Sequence, residues 1–236
     1  MNILIIGYGK MGKTIEKIAL ERGHQIVNTV DEGDELKDQD YNDAEVAIEF
    51  TQPDAAFNNI RSCIENNLPV ISGTTGWLDK KPEIENFCRQ MNGTFFYASN
   101  YSIGVNLFFK LNKFLAQMMN KHSSYQVCIE ETHHTEKKDS PSGTAITLAE
   151  GIIEHYPFKR NWTNQKNEDQ YTLEIISFRK ENIPGTHVVK YNSPLDEILI
   201  QHTAHKRESF ALGAILVAEW ITGKKGVLNM NDYLKF

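Results

Sequence analysis

The sequence predicts an α/β protein that begins with a parallel sheet and continues into a smaller α+β domain. Three observations support this prediction. Strand-like and helical segments alternate over the first hundred residues, a glycine-rich turn follows the first strand, and strand-like runs cluster in the second half of the chain. Alternating segments are typical of parallel sheets, whereas clustered strands are typical of antiparallel or mixed sheets.

The N-terminal part contains five strand-like runs, most of them separated by helical patterns. The first run, Ile3–Ile6, is short and uniformly apolar, as expected for a strand that is buried on both faces. Repeated strand–helix–strand units need right-handed crossovers, so they predict a doubly wound sheet of Rossmann type. The predicted strands are 3–6, 25–30, 45–50, 69–72 and 94–97, and the predicted helices include 53–65 and a segment through Phe87.

After Asn100 the pattern changes to longer helices and neighbouring strands. We predict helices at about 105–120, 144–153 and 210–221, and a surface loop over the polar segment 156–170. The predicted strands are 125–131, 172–179, 187–191 and 198–202. Three strands close together in the sequence favour an open mixed sheet in an α+β domain.

Composition and charge exclude several classes of protein. The 236 residues carry 25 basic and 31 acidic side chains, and the formal charge of −6 argues against a broad nucleic-acid or membrane surface. No apolar run approaches the roughly 18 residues of a membrane span. The three cysteines, Cys63, Cys88 and Cys128, form no CxxC pair, which suits a reducing compartment. We therefore expect a soluble, cytoplasmic protein with no nucleic-acid or membrane partner.

A GxGxxG motif, residues 7–12, connects the first strand to the first helix. Gly7 permits the tight turn, Gly9 lets the backbone approach a pyrophosphate, and Gly12 lets helix and strand pack closely. The pyrophosphate would lie at the helix N-terminus, where free N–H groups favour anions. Asp31 ends the second strand, where a carboxylate can bind the adenosine ribose. The alternative is a glycine-rich turn of another α/β protein.

The residues after the second strand bear on the choice of cofactor. Asp31 would repel a 2′-phosphate, and Glu32 stands where an arginine would receive one. These two carboxylates favour NADH over NADPH. Lys10 and Lys13 can still reach a phosphate, so the use of both cofactors stays open.

A second glycine-containing turn, Gly73-Thr74-Thr75-Gly76, follows the fourth strand. The carboxyl ends of parallel strands form the edge at which such sheets bind ligands. The two glycines permit close approach of a nicotinamide ring, and the two hydroxyls offer it hydrogen bonds. An ordinary turn explains these residues equally well.

The segment most suggestive of chemistry lies between a strand and a helix in the second part of the chain. It contains His133, His134 and Lys137 and ends in Ser142-Gly143-Thr144 at a helix start. Backbone N–H groups at a helix start bind carboxylates, a lysine adds a charge-assisted hydrogen bond, and a histidine transfers protons near neutral pH. The competing interpretation is a solvated loop followed by an ordinary helix cap.

A metal site is a third interpretation of this segment. Its ligands would come from His133, His134, Glu131 or Asp139. Adjacent histidines on an extended chain point in opposite directions, and the sequence contains no second ligand motif. We therefore predict no metal.

Taken together, these motifs resemble those of the dihydrodipicolinate (4-hydroxy-tetrahydrodipicolinate) reductase family. The most specific is the run His133-His134-x-x-Lys137-x-Asp139-x-Pro141-Ser142-Gly143-Thr144. Other motifs follow in the family's order and extend the resemblance over essentially the whole chain. They are residues 7–12, Phe50-Thr51-x-Pro53, 73–76, 99–106, Arg179, Gly185, His187, His202, Arg207 and the last helix.

The resemblance implies an enzyme of lysine and diaminopimelate biosynthesis that reduces a small cyclic dicarboxylate with NADH or NADPH. Hydride would go from the nicotinamide to ring C4, His133 would donate the proton, and Lys137 would assist catalysis and bind a carboxylate. His134, Gly143 and Thr144 would bind the substrate. The implied cofactor contacts are Gly7, Tyr8, Gly9, Lys10, Met11, Gly12, Asp31, Gly73, Thr74, Thr75, Ala98, Ser99, Asn100 and Tyr101.

The resemblance also implies a domain organisation. Residues 1–102 and 207–236 would form the dinucleotide-binding domain, and residues 103–206 would form the substrate-binding domain. The sheet of the second domain would build a homotetramer, and a hinge closure of the two domains would exclude water from the reaction.

Three features differ from the family pattern, and all concern the adenosine end of the cofactor. The segment between Asp31 and Val46 is short, the glycine motif has one residue fewer between its first two glycines, and Glu32 replaces an arginine. Two other functions stay open: another two-domain NAD(P)H dehydrogenase acting on an amino or oxo acid, and a non-catalytic nucleotide sensor. A disrupted His133–Lys137 pair would favour the sensor, and here the pair is intact.

Overall fold

The structure, a computed structural model, describes residues 1–34, 37–206 and 208–236. Backbone contacts divide the chain into two compact units. The first contains Met1–Ile103 and Glu208–Phe236, and the second is Gly104–Arg207. Arg207 itself, which carries part of the family resemblance, lies outside the described residues.

Eleven strands, eight α-helices and a short 3₁₀ helix (Leu78–Lys80) occur in the described part of the chain. The strands are β1 (Asn2–Ile6), β2 (Gln25–Val30), β3 (Val46–Glu49), β4 (Val70–Ser72), β5 (Thr94–Tyr97), β6 (Gln126–His133), β7 (Asn161–Thr163), β8 (Thr172–Arg179), β9 (Gly185–Asn192), β10 (Glu197–Ala204) and β11 (Gly226–Leu228). The helices are α1 (Lys10–Glu21), α2 (Asp38–Asp43), α3 (Pro53–Glu65), α4 (Lys81–Gln90), α5 (Ile103–Met119), α6 (Gly143–Ile153), α7 (Glu208–Ile221) and α8 (Met230–Leu234).

Six parallel strands form the sheet of the first unit, in the order β11-β5-β4-β3-β1-β2. Side chains alternate across β1, so that Ile3 and Ile5 pack with α1 and α7 while Leu4 and Ile6 pack with α3 and α4. Both faces of the sheet are therefore covered by helices. This arrangement confirms the predicted Rossmann-type doubly wound sheet.

The strand order of this sheet reverses at β1, because β2 lies on one side of β1 and β3 lies on the other. Doubly wound sheets bind ligands outside the carboxyl ends of the strands at such a reversal. Gly7 follows β1 at this point, and Phe50 follows β3. The topology thus brings the glycine motif and the segment after β3 to one edge.

The sheet of the second unit is mixed, with the strand order β10-β9-β6-β8-β7. Strand β6 runs parallel to β8 and antiparallel to β9. Val127 and Ile129 on one face of β6 are buried in a single cluster with apolar residues of α5 and α6. This sheet confirms the predicted α+β character of the second part.

Several short elements were not predicted. They are α2, β7, β11 and α8, each three to six residues long. The predicted loop at 156–170 contains β7, which pairs with β8, and β11 pairs with β5. Such short segments carry little periodicity, and the two strands among them form by pairing with a neighbouring strand. A more consequential difference is that β6 continues through His133, two residues beyond its predicted end.

None of the helices in the described residues combines the length and hydrophobicity that a membrane span requires. Helix α7 is the most apolar of the first unit and packs in its core. At Gly213 a Cβ would lie 1.8 Å from the carbonyl oxygen of Tyr101, so only glycine permits this close approach.

Candidate active site

Three glycines shape the turn between β1 and α1. Gly7 has a φ of +96°, and a Cβ there would lie 2.0 Å from the carbonyl oxygen of Phe50. A Cβ on Gly12 would lie 2.2 Å from the carbonyl oxygen of Gly7. Gly9, by contrast, faces open space, and no side chain of the described residues caps α1. The N–H groups of the first helical turn are therefore available to an anion.

The turn borders a cleft of about 430 Å³ at the reversal of the strand order. Gly7, Gly9 and Thr51 line it, and Asp31, Glu32 and Asp34 line it as well. The exposed Asp31 carboxylate accepts a hydrogen bond from the Glu32 N–H at 3.0 Å, while Asp34 accepts one from the Asp31 N–H at 2.9 Å. Three carboxylates thus lie together where the adenosine end of a dinucleotide is expected.

Lys10, Met11 and Tyr8 occupy the start of α1 and the turn before it. Lys10 is exposed, whereas Tyr8 and Met11 pack partly against the core. The Tyr8 hydroxyl donates a hydrogen bond to Glu16, and the Lys13 ammonium lies 5.6 Å from the centre of the Tyr8 ring. Of the two lysines predicted to reach a phosphate, Lys13 therefore contacts an aromatic ring in this structure.

Hydrogen bonds connect the loops that follow β3 and β4. The Thr74 hydroxyl donates to Glu49 at 2.8 Å and accepts from the Thr51 N–H at 2.7 Å. A Cβ on Gly73 would lie 2.0 Å from the Phe50 ring, so this glycine is required for packing. Thr75 is exposed. The Gly73-Thr74-Thr75 turn is thus anchored by Thr74 and presents Thr75 to solvent.

The segment 98–101 follows β5 at the same edge of the sheet. Tyr101 is only 2% exposed, and its hydroxyl donates to the Ser72 carbonyl oxygen at 2.8 Å. Ala98 is also buried, while Ser99 is exposed and Asn100 accepts a hydrogen bond from the Ser102 N–H. The Tyr101 side chain therefore belongs to the core.

Strand alternation places the chemistry of the second unit at the end of β6. Glu131 and His133 lie on the face that also buries Val127 and Ile129, because side chains two positions apart share a face. Glu131 is fully buried and pairs across the sheet with His187 on β9. The strand thus carries a carboxylate and an imidazole into a largely apolar interior.

Hydrogen bonds compensate the buried charge of Glu131. Its carboxylate accepts the Ser142 N–H at 3.0 and 3.2 Å and the Ser177 hydroxyl at 2.7 Å. The His187 Nε2 lies 3.6 Å away and contacts the Ser142 hydroxyl at 3.1 Å. Burial alone would raise the pKa of Glu131, but the nearby His187 ring and the hydrogen bonds from Ser142 and Ser177 lower it to about 2. The group is therefore an anion at neutral pH.

His133 is 6% exposed, and its Nδ1 lies 3.5 Å from the Glu131 carboxylate. Its ring meets the His187 ring edge-on at 5.0 Å between centres. Burial, with a smaller contribution from His187, lowers the pKa of His133 to about 4, although Glu131 acts in the opposite direction. A Cβ at Gly185 would lie 3.1 Å from His133 Nε2, so glycine leaves the space that this ring occupies.

Lys137 lies in the loop that follows β6. Its ammonium contacts both Asp139 carboxylate oxygens at 2.8 Å. Arg179 donates to the carbonyl oxygens of Lys137 and Asp139 at 3.3 and 2.7 Å, which fixes the loop backbone to the end of β8. Asp139 is mostly exposed, so a stronger anionic ligand can replace it at Lys137.

Helix α6 begins directly beyond this loop. Ser142 is its N-cap, and the Ser142 hydroxyl accepts a hydrogen bond from the Ala145 N–H at 3.2 Å. The capping interpretation of the Ser-Gly-Thr sequence is therefore correct for Ser142. The N–H groups of Gly143 and Thr144 have no acceptor within the helix, and the space around Gly143 is open. These two amides can still bind a carboxylate.

His134 follows the end of β6 and is half-buried, unlike His133. It lines a second cleft of about 430 Å³ together with Thr135, Glu136 and the segment Glu181–Pro184. The two histidines therefore lie in different surroundings, as expected for neighbours on an extended chain. The competing view that the whole segment is a solvated loop does not hold for His133.

The sequence analysis assigns no catalytic or cofactor-positioning role to three buried groups that shape these sites. They are Glu131 and His187 in the second unit and Glu49 in the first. From the sequence, Glu131 is a candidate metal ligand only, His187 is one position of the family resemblance, and Glu49 is part of a predicted strand. A charged residue inside an apolar strand pattern was the available signal, because such a residue is seldom fully buried without partners.

Glu131, His133 and His187 also offer three ligand atoms within 4.8 Å of one another, which is a spacing that a metal ion can use. The carboxylate already accepts hydrogen bonds from Ser142 and Ser177. Hydrogen bonding is therefore sufficient to explain the arrangement. The absence of a metal stays a prediction.

The fold of the first unit and the acid–histidine–lysine arrangement of the second define a nucleotide-dependent oxidoreductase. Comparisons with known proteins identify its family. Models described as dihydrodipicolinate reductase, N-terminus and C-terminus, match residues 1–101 and 104–234. The chain belongs to the dihydrodipicolinate reductase family.

Similar proteins agree with this assignment. The chain is 48% identical to the 4-hydroxy-tetrahydrodipicolinate reductase of Christiangramia forsetii over 99% of this chain and 98% of that protein. It is 34% identical to the enzyme of that name from Thermosipho africanus, over 100% and 98%. Dipicolinate-bound dihydrodipicolinate reductase from Paenisporosarcina sp. TG-14 has the same fold, with a TM-score of 0.77 at 21% identity over 99% of both chains.

Proposed function

We propose that this protein reduces 4-hydroxy-tetrahydrodipicolinate to tetrahydrodipicolinate with NADH or NADPH, a step of lysine and diaminopimelate biosynthesis. Family membership over both units supports the reaction. The observation that carries the mechanism is the end of β6, where buried His133 contacts ionised Glu131 and precedes Lys137 and the start of α6.

The first unit binds the dinucleotide. The open Gly9 backbone and the uncapped start of α1 fit a pyrophosphate, and the cleft beside them fits the adenosine end. A bound NADH or NADPH supplies the hydride. Asp31 and Glu32, joined in the cleft by Asp34, disfavour the 2′-phosphate of NADPH by like-charge repulsion, so we expect NADH to be preferred.

The second unit binds the dicarboxylate substrate. One carboxylate exchanges for Asp139 at the Lys137 ammonium and accepts hydrogen bonds from the Gly143 and Thr144 amides. His134, at the neighbouring cleft, binds the other carboxylate. The substrate would first lose its 4-hydroxyl group as water, which leaves a conjugated imine. These contacts would orient that imine for hydride addition at C4, and such orientation lowers the barrier.

His133 would donate its proton to the enamine-like ring carbon that holds the electron pair after hydride addition, which completes the reduction. In the absence of substrate its lowered pKa keeps the imidazole neutral at physiological pH. A dianionic substrate raises that pKa, because a nearby negative charge favours the imidazolium form. Substrate binding thus prepares the acid, while Glu131 supplies a permanent opposing charge from behind the ring.

The assembly is proposed to be a homotetramer formed by the second unit. One face of its sheet packs against α5 and α6, whereas Phe178 and Leu199 on the other face are 47% and 45% exposed. Apolar side chains on an uncovered sheet face favour association with further copies. Sedimentation of the wild type beside Leu199→Glu tests this: a tetramer that the substitution dissociates is expected, and a monomeric wild type contradicts it.

The catalytic proposal is tested by NADH and NADPH oxidation with substrate supplied fresh by its synthase. The wild type is compared with His133→Gln, Lys137→Ala and the control Lys138→Ala, whose side chain is exposed. We expect the first two to lose about 100-fold or more in turnover, the range typical of acid catalysis and charge stabilisation. Wild-type turnover in both His133→Gln and Lys137→Ala would refute the assignment.

A further inference from the structure

Glu49 ends β3 and is fully buried, yet the proposed proton and hydride transfers do not use it. Its carboxylate accepts hydrogen bonds from the Ser72 hydroxyl at 2.5 Å, the Thr74 hydroxyl at 2.8 Å and the Thr51 N–H at 3.0 Å. The Thr51 hydroxyl donates to it as well. Four donors, from the loop after β3, the end of β4 and the loop after β4, therefore converge on one carboxylate.

These loops are the ones at the ligand-binding edge of the first sheet. Thr51 lines the cleft beside Gly7 and Gly9, and Thr74 belongs to the Gly73–Thr75 turn. The carbonyl oxygen of Ser72 also accepts the Tyr101 hydroxyl, so the segment after β5 is joined to the same cluster. Glu49 is thus hydrogen-bonded to the loops after β3 and β4 and is connected through Ser72 to the segment after β5.

Within the described part of the chain Glu49 has no cationic partner, since none of the ion pairs there includes it. Its partners are hydroxyl groups and one backbone N–H. A core that needed only to fill this volume would use an apolar residue, because a buried carboxylate is costly even with hydrogen bonds. The retained carboxylate therefore calls for a role at the adjacent surface.

We propose that Glu49 is a positioning residue for the dinucleotide. Its hydrogen bonds fix the positions of the Thr51 and Thr74 loops, and its buried negative charge favours binding of the oxidised, cationic nicotinamide. This inference rests on the proposed dinucleotide site of the first unit. The two effects are separable. Loop positioning acts on both redox forms of the cofactor, whereas the charge distinguishes the cationic ring of NAD⁺ from the neutral ring of NADH.

The two effects weaken binding to different extents for NAD⁺ and for NADH. In Glu49→Gln an amide N–H group faces the hydroxyl and N–H donors that the carboxylate oxygen accepts from. The loss of a charge-assisted hydrogen bond there should weaken binding of both dinucleotides by about tenfold. If the nicotinamide binds at the Gly73–Thr75 turn, removal of the Glu49 charge adds about fivefold to the loss for NAD⁺ alone, because a low-dielectric interior screens a buried charge poorly. A merely structural defect would change both dissociation constants by the same factor.

The experiment measures dissociation constants for NAD⁺ and NADH by calorimetry and by nicotinamide fluorescence, without substrate. The variants are Glu49→Gln, Glu49→Asp, Thr74→Val and the control Glu83→Gln, whose side chain is exposed on α4. Glu49→Gln is expected to weaken both ligands, and NAD⁺ about fivefold more than NADH. Glu49→Asp keeps the charge and should restore the wild-type ratio of the two constants.

Thr74→Val removes one donor and keeps the charge, so it should weaken both ligands equally. It also serves as the test of positioning if Glu49→Gln fails to fold. The inference is overturned if Glu49→Gln binds both ligands like the wild type, if its losses for NAD⁺ and NADH are equal, or if Thr74→Val binds normally. A wild type that binds neither dinucleotide would instead overturn the proposed function itself.

Discussion

The buried carboxylate of Glu131 should be a main contributor to the stability of the second unit. Its environment lowers its pKa from 4.5 to about 2. Since each pKa unit corresponds to 1.36 kcal/mol, the ionised form contributes about 3 kcal/mol to the free energy of unfolding at neutral pH. We expect Glu131→Gln to lose about this amount.

The sign of the pH dependence follows from the lowered pKa. The contribution is complete above pH 4.5 or so and is lost as the pH falls toward 2, because the unfolded state takes up the proton first. The gap in stability between the wild type and Glu131→Gln should therefore narrow on acidification below about pH 4.5.

Urea denaturation at one protein concentration, from about pH 7 down to about pH 3.5, measures this gap. The matched control is Glu130→Gln, on the opposite face of the same strand, where the carboxylate pairs with Lys190 and is 29% exposed. Partly exposed pairs contribute at most about 1 kcal/mol. Equal losses in the two variants at pH 7, or a gap that widens in acid, would refute the reasoning.

Three further predictions concern catalysis, cofactor choice and the glycine turn. Because substrate raises the lowered pKa of His133, kcat should begin to fall with rising pH at a higher pH than kcat/KM does. His133→Gln should abolish both falls. Steady-state assays in which the two profiles coincide would contradict this prediction. Glu32→Arg should raise kcat/KM for NADPH by about tenfold and change kcat/KM for NADH by less than about twofold. An unchanged ratio of these two values would show that the carboxylates do not determine the cofactor preference. Gly7→Ala should lower the free energy of unfolding by more than about 2 kcal/mol, measured by thermal or urea unfolding. The added Cβ would lie 2.0 Å from the Phe50 carbonyl oxygen, at a φ of +96°. Wild-type stability would show that the turn relaxes to accommodate it.

Much of the fold was accessible from the sequence, for reasons visible in single elements. Helix α3 begins and ends at the predicted residues, because Pro53 stands in the first turn and the apolar residues recur at helical spacing. β5 is likewise predicted at its observed bounds. By contrast, β7 and β11 are three residues long and form only by pairing with β8 and β5, which local sequence does not encode.

The candidate site was predictable where its residues are neighbours in the chain. His133, Lys137 and Ser142 lie within one loop and its flanks, so their grouping is readable directly. The pairing of Glu131 with His187 depends on the register between β6 and β9, which joins distant positions. The predicted strand end at Glu131 also hid the burial of His133, because two further strand residues carry its ring to the core face.

At the edge of the first sheet where the cofactor is expected to bind, local patterns were again predictable and contacts between strands were not. The glycine motif and the turn at Gly73 are local patterns, and their places at the edge of the sheet follow from the fold. The convergence of Thr51, Ser72 and Thr74 on Glu49 requires β3 and β4 to lie side by side in a particular register. Tyr101 buries its side chain in the core, so its expected contact with the cofactor, which its backbone can still make, stays a prediction.

The reductase assignment is tested most directly by following the hydrogen itself. NADH carrying deuterium at the transferred position of C4 is incubated with synthase-supplied 4-hydroxy-tetrahydrodipicolinate, and the product is analysed by mass spectrometry and NMR. The account predicts tetrahydrodipicolinate with one cofactor-derived deuterium at ring C4, formed in step with NADH consumption. Unreduced substrate, or NADH consumption with no label in the product, would contradict it.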